Sequence, residues 1–207
     1  MSGKSSNNIN LDLVKRLTDD VCEIGGSNIV LIDTPTTMVA KTNFFLLRGL
    51  LDIKKKKGFY VALDRPHQNM DYLLSNHGID RDNIWYIDTV THISGGEKVE
   101  SRNVEFVDMS FEIENLMEVF EEDGNSKGSP SLDDVDFILL ENLSAMMNYN
   151  SIESIEKFIE CFDRVIHDHE DLMGCLVMDT NAHENLSEVV NGYLDKIIDV
   201  KKIKEEL

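Results

Sequence analysis

Short apolar runs of four to seven residues recur along the chain, and longer segments with helical periodicity separate them. The runs lie at 29–32, 59–63, 84–87, 104–107, 137–140, 175–178 and 194–200. The central runs are rich in β-branched and aromatic residues and do not alternate between apolar and polar, which is typical of strands buried on both faces. Alternation of such strands with helices predicts an α/β fold with a mostly parallel sheet covered by helices on both faces.

The segments between the runs predict the helices of this fold. Helices are expected from Asn10 to the Gly25–Gly26 pair, over 44–57, over 67–77, and around two apolar sets at helical spacing. The two sets are Ile113, Leu116, Met117 and Phe120, and Ile155, Phe158, Ile159, Phe162 and Ile166. We therefore expect an N-terminal helix in 1–26 that packs on one domain formed by 27–207.

The chain has 207 residues, of which 42% are apolar, and a net charge of −19. The apolar share is enough for a sizeable core, and the charge disfavours binding to nucleic acid or to anionic membranes. No run approaches the roughly twenty apolar residues of a spanning helix, and the polar start predicts no secretory signal. We expect a cytoplasmic protein without membrane insertion, either a monomer or a homo-oligomer.

Cysteines and histidines give little sign of a metal site. Cys22, Cys161 and Cys175 are widely spaced and fit neither a zinc pattern nor a disulfide framework, which predicts a reduced protein. His167 and His169 are interpreted as a solvated helix end and not as metal ligands, because no third ligand accompanies them.

The acidic charge is concentrated between residues 105 and 141, where twelve acidic residues accompany one base, Lys127. One interpretation is a solvated helix face followed by an acidic loop. The other is a docking surface for a basic protein partner. The opposite charge in Lys54–Lys57 suits the C-terminal end of a helix and needs no further role.

In an open parallel sheet, ligands bind beyond the carboxyl ends of the strands. The segments expected there are 33–42, 64–66, 88–91, 141–144 and 179–181. The first has the layout of a phosphate-binding loop, in which a strand and a loop lead to a Lys-Thr pair that opens a helix.

Compared with the pattern G-x-x-x-x-G-K-[ST], the segment reads Pro35-Thr-Thr-Met-Val-Ala40-Lys41-Thr42, and neither glycine is present. Glycine permits the backbone angles that aim several N–H groups at one phosphate. Pro35 lacks one such donor, and Val39 resists a left-handed turn. This loop predicts poor phosphate binding, and it leaves Lys41 able to pair with Asp33, Asp64 or Glu141.

Four segments resemble the RecA/KaiC-like ATPase domain of archaea and cyanobacteria, over roughly residues 27–200. They are 33–42, 59–66, 77–90 and 137–146. The resemblance implies a three-layer RecA-like P-loop fold of archaeal type with a degenerate Walker A loop.

The resemblance also implies roles for single residues. Lys41 lies at the position of the phosphate-binding lysine, after Ala40, and Thr42 lies at that of the Mg²⁺-binding hydroxyl. Asp64 lies near the position of the catalytic carboxylate. Glu141 lies at the Walker B position, where an Asp is usual.

These observations leave three functions open. The first is a pseudo-ATPase that acts as a regulatory or scaffolding protein through protein contacts. The second is a nucleotide-binding protein or slow ATPase that holds ATP or ADP with Mg²⁺ through loop 34–42. The third is an enzyme of another class in the same crevice, for which no residues are specified.

Overall fold

The computed structural model describes residues 3–91, 95, 103–107, 116, 119 and 130–207. Seven strands form one sheet: β1 (Asn28–Asp33), β2 (Gly58–Ala62), β3 (Ile84–Asp88), β4 (Val104–Phe106), β5 (Phe137–Leu140), β6 (Met173–Met178) and β7 (Lys196–Asp199). Their spatial order is β4-β3-β2-β5-β6-β1-β7, and every neighbouring pair is parallel. The predicted α/β fold with a parallel sheet is confirmed.

Six α-helices have both ends among the described residues: α1 (Gly3–Cys22), α2 (Val39–Leu47), α3 (His67–Asn76), α4 (Ile152–Asp168), α5 (Glu184–Val190) and α6 (Val200–Glu206). A π-helical segment, Arg48–Ile53, continues α2. Short 3₁₀ turns lie at Thr36–Met38, Leu132–Asp134, Leu143–Asn148 and Asn191–Tyr193. Within the described residues, no helix has both the length and the apolar character needed to cross a bilayer.

The sheet separates two apolar cores because successive side chains of each strand point to opposite faces. In β1, Ile29 and Leu31 join the core under α4 and α5, whereas Val30 and Ile32 join the core under α1, α2, α3 and α6. All four side chains are fully buried. This two-sided burial explains why β1 carries no polar–apolar alternation.

Two predicted helix boundaries are wrong. The first helix begins at Gly3, so Asn10 lies inside α1 and does not cap it. The second begins at Val39 and not at 44, because the 3₁₀ turn after β1 leads directly into it. Of the helix predicted around 113–120, Leu116 is helical and buried, whereas Ile113, Met117 and Phe120 lie outside the described residues.

The connections bring the ends of four strands together at one edge of the sheet. The chain leaves β1 through α2 and enters β2, and the later strands β5 and β6 lie between these two. The segments that follow β1, β2, β5 and β6 therefore emerge next to one another. A reversal of strand order of this kind is where α/β sheets form their ligand crevice.

Candidate functional site

The turn after β1 is the segment that the sequence analysis compared with a phosphate-binding loop. Pro35 (φ −53°, ψ 141°) precedes the 3₁₀ turn Thr36–Met38. The backbone N and Oγ1 of Thr36 donate to Oδ2 of Asp179, at 2.8 and 2.9 Å. Burial raises the pKa of Asp179, but the Thr36 bonds outweigh it and hold the pKa below its ordinary value. An amide at the start of this turn is thus bound by a carboxylate of the chain itself.

The residues at the lysine and hydroxyl positions point in different directions. Lys41 is exposed, and its Nζ lies 5.2 Å from the ring centroid of Phe45, one helical turn further along α2. Thr42 is buried, and its Oγ1 lies 2.9 Å from Oγ1 of Thr34. Ala40 is half-buried in the first turn of α2. The Thr42 hydroxyl therefore already has a partner within the protein.

The expected ion pair of Lys41 with Asp33, Asp64 or Glu141 is wrong. Within the described residues, Lys41 forms no ion pair. The reason is the direction of α2, which carries the Lys41 side chain along its own exposed side. Asp33 instead accepts a hydrogen bond from the backbone of Thr180 at 3.0 Å.

Glu141, for which the resemblance implies the Walker B position, is buried directly after β5. Its Oε2 accepts the backbone N–H groups of Leu63, Asp64 and Arg65 at 3.2, 3.4 and 3.4 Å. Burial raises the pKa of Glu141 to about 7, although the amides of Asp64 and Arg65 and the Tyr60 hydroxyl hold it down. The carboxylate fills the concave group of N–H donors that the turn after β2 presents.

Asp64, near the expected catalytic position, contributes its backbone and not its carboxylate to this contact. Its side chain is exposed, and Oδ2 lies 3.7 Å from Nε of Arg65. A carboxylate in that position is screened by solvent. Its geometry does not resemble that of a base held against a bound water.

A buried His67–Asp88 pair lies beside this turn and was missed by the sequence analysis. Oδ2 of Asp88 accepts the His67 backbone N–H at 2.9 Å and contacts His67 Nδ1 at 2.6 Å, and Thr91 Oγ1 donates to it at 2.8 Å. Burial raises the pKa of Asp88, but the bonds from His67 and Thr91 outweigh it and leave the pKa well below its ordinary value. The pair caps α3, whose N-cap residue Pro66 has no polar side chain. The only sign of this pair in the sequence was that Asp88 lies at the end of a predicted strand.

Asn43 is a second residue that the sequence analysis missed. It is fully buried on α2, and its Nδ2 donates to the Glu141 carbonyl oxygen at 2.8 Å. Its Oδ1, like Oγ of the buried Ser144, has no hydrogen-bond partner among the described residues. The available signal was a polar residue directly before the apolar stretch 44–47. Asn43 fixes α2 to the end of β5.

Metal-binding side chains are not gathered at this edge of the sheet in the described part of the chain. No group of three His, Cys, Asp or Glu side chains suited to a metal ion is present among the described residues. His167 and His169 lie at the opposite ends of the strands, near the residues that precede β1 and β7. Each places Nδ1 within 2.9 Å of a backbone carbonyl oxygen one turn earlier in α4. These contacts agree with the interpretation of this segment as a helix end.

The comparisons with solved structures identify the fold. The chain is similar to the uncharacterized protein PH0321 of Pyrococcus horikoshii, crystallised in complex with an unknown peptide, with a TM-score of 0.63, 11% identity, and coverage of 90% of this chain and 83% of that one. The fold is RecA/KaiC-like. The flagellar accessory protein FlaH of Methanocaldococcus jannaschii (TM-score 0.57, 12% identity, 88% and 76% covered) and the KaiC-like protein PH0186 of Pyrococcus horikoshii (0.55, 12%, 87% and 76%) share it. No protein-family model and no curated protein matches the sequence.

Proposed function

We propose that the chain is a RecA/KaiC-like domain without ATP turnover, which acts as a regulatory or scaffolding protein through contacts with other proteins. One observation carries the proposal: carboxylates of the chain accept the N–H groups of the turns at the crevice. Asp179 accepts that of Thr36, and Glu141 accepts those of residues 63–65. Phosphate binding in such folds depends on N–H groups of this kind.

The energetics favour the internal carboxylates over a nucleotide. A phosphate at the turn after β1 would have to break both Thr36 bonds to Asp179. Hydrogen bonds to a charged group contribute about 1.5–3 kcal/mol each, and at this exposed turn a phosphate would only replace the two bonds that it breaks. The displaced Asp179 would also repel the incoming phosphate. The absence of both glycines from 35–42 adds to this cost, because Pro35 and Val39 restrict the rearrangement.

A structurally similar protein and the acidic composition of this chain support a role in protein contacts. The Pyrococcus horikoshii protein PH0321 was crystallised with a peptide. In this chain, the acidic stretch 105–141 was interpreted as a surface for a basic partner. Of its acids, Asp136 pairs with Lys56 at 3.0 Å and Glu141 is buried. Seven others lie outside the described residues, so the stretch stays a proposal, as does a homo-oligomer.

One observation favours the alternative, a nucleotide-binding protein or slow ATPase that uses loop 34–42. Met38 provides no side-chain cap for α2, so the helix start remains open to an anion, and Lys41 is exposed beside it. A nucleotide bound there would rely on Lys41 and on the helix dipole.

Calorimetric titration with Mg-ATP and with ADP, joined to a phosphate-release assay, separates the two functions. We expect no saturable heat at millimolar nucleotide and no phosphate release above background. Lys41→Ala should then be indistinguishable from the wild type, as should the control Lys57→Ala, an exposed lysine at the opposite edge of the sheet. Binding or release that Lys41→Ala abolishes and Lys57→Ala retains would establish the alternative.

A further inference from the structure

The turn between β2 and α3 depends on a single acceptor for its backbone. The amides of residues 63–65 all donate to Oε2 of Glu141, at 3.2, 3.4 and 3.4 Å. Among the described residues, these three amides have no other hydrogen-bond partner. The next residue is Pro66, which has no amide N–H, and His67 already begins α3. One carboxylate oxygen therefore holds every N–H group of this turn.

The Glu141 carboxyl reaches the turn from inside the protein. Glu141 is 3% exposed, and the Tyr60 hydroxyl of β2 donates to its carboxylate. From α2, Asn43 donates to the Glu141 carbonyl oxygen at 2.8 Å. The Oδ1 atom of Asn43 is buried and has no partner among the described residues, so an acceptor is available beside Glu141 for the O–H of a protonated carboxyl. Strand, turn and helix thus enclose one titratable group.

The charged and titratable groups that face Glu141 come from β2 and from the turn. Burial raises the pKa of Tyr60 well above its ordinary value, so its hydroxyl keeps its proton at neutral pH. The side chains of Asp64 and Arg65 are exposed to solvent, and α2 contributes Asn43, which does not titrate. Burial raises the pKa of Glu141 to about 7. Both charge states of Glu141 are therefore populated near neutral pH.

The two charge states hold the turn with different strength. Hydrogen bonds to an ionised carboxylate are roughly twice as strong as those to a neutral acceptor, and here three amides share the change. Burial acts in the opposite direction, because it disfavours the ionised form by more than these bonds favour it. Ionisation of Glu141 therefore tightens the turn locally while it lowers the stability of the fold as a whole.

We propose that Glu141 is a latch on the turn after β2, which it holds closed when ionised and allows to open when protonated. The exposed side chains of Asp64 and Arg65 follow the turn, and Pro66 transmits its position to the start of α3. The charge of a group that solvent does not reach thus controls a surface turn beside the crevice. The latch goes beyond the proposed function, since it needs neither a nucleotide nor a protein partner.

Amide hydrogen exchange followed by NMR on the full chain tests the latch, with the wild type compared with Glu141→Gln. Glutamine keeps the size of the side chain and leaves a neutral acceptor. At about pH 8, the amides of Asp64 and Arg65 should be about tenfold less protected in the variant than in the wild type, and at about pH 5 the two proteins should match. The amide of Leu139, in fully buried β5, should change in the opposite direction at about pH 8, because the variant lacks the buried charge.

The control Glu156→Gln removes a charge from the exposed side of α4 and should leave the protection of both groups of amides unchanged. His67 is present in every protein compared, so its ionisation does not account for a difference between them. The latch is overturned if the turn amides and Leu139 change in the same direction, or if the pH dependence of the turn persists in Glu141→Gln. Should that variant fail to fold, the wild type decides, since the protection of Asp64 and Arg65 relative to Leu139 should rise with pH, and a constant ratio overturns the latch.

Discussion

Replacing Glu141 with Gln is expected to stabilise the protein above neutral pH. Burial raises the pKa of the Glu141 carboxyl from 4.5 to about 7, so the folded state keeps a proton that the unfolded state releases between these values. Stability therefore falls as the pH rises through this window, because the folded state binds more protons than the unfolded state. At about 1.4 kcal/mol per pKa unit, the loss is about 3 kcal/mol and is complete above about pH 7.

Glu141→Gln imitates the protonated carboxyl, because its amide oxygen still accepts the N–H groups of residues 63–65. The variant should match the wild type near pH 4.5 and exceed it by about 3 kcal/mol near pH 8. Urea unfolding followed by the fluorescence of Trp85 across this range measures the difference. Glu156→Gln, on the exposed side of α4, is the control and should show no such trend. A stability difference that does not change with pH, or a variant less stable at pH 8, would show that Glu141 does not hold a proton in the folded state.

Two further substitutions test the packing and the strand-end network by urea unfolding. In Gly58→Ala, the new Cβ would lie 2.3 Å from the Phe137 carbonyl oxygen, so we expect the free energy of unfolding to fall by about 2–3 kcal/mol. In the control Gly192→Ala, the new Cβ meets open space, so stability should change by under about 0.5 kcal/mol. Equal losses in the two variants would contradict the close packing of Gly58 against Phe137. Asp88→Asn should cost about 1.5–3 kcal/mol at neutral pH by weakening the charge-assisted hydrogen bonds that the Asp88 carboxylate forms with His67 and Thr91. Because the pKa of Asp88 is lowered in the fold, its contribution is lost as the pH falls below 3.8, and the variant should lack that acid loss.

The strands were predictable because burial on both faces leaves a clear pattern. Val30 and Ile32 face one core while Ile29 and Leu31 face the other, so the run reads as continuously apolar. The order of the strands within the sheet was harder to predict from the sequence. β5 and β6 insert between β1 and β2, and this depends on pairings such as Asn28 with Met173, which no local pattern records.

The general rule on strand ends predicted which edge of the sheet carries the candidate site. It did not predict which groups are hydrogen-bonded to one another there. Asp179 and Thr36 are 143 residues apart, and Glu141 and Asp64 are 77 apart. A sequence shows that each carboxylate ends a strand, but not which N–H group it accepts. The direction of the Lys41 side chain could not be predicted from the sequence either, because it depends on the orientation of α2 against the sheet.

We propose that carboxylates of the chain occupy the turn amides beyond β1 and β2, so that a phosphate would have to displace them. Amide NMR of ¹⁵N-labelled protein tests it directly, through the resonances of Thr36, Leu63, Asp64 and Arg65 during titration with Mg-ATP. We expect that none of these four resonances shifts at millimolar nucleotide. Saturable shifts of Thr36 at micromolar Mg-ATP would contradict it, because that amide would have to leave Asp179 for a phosphate.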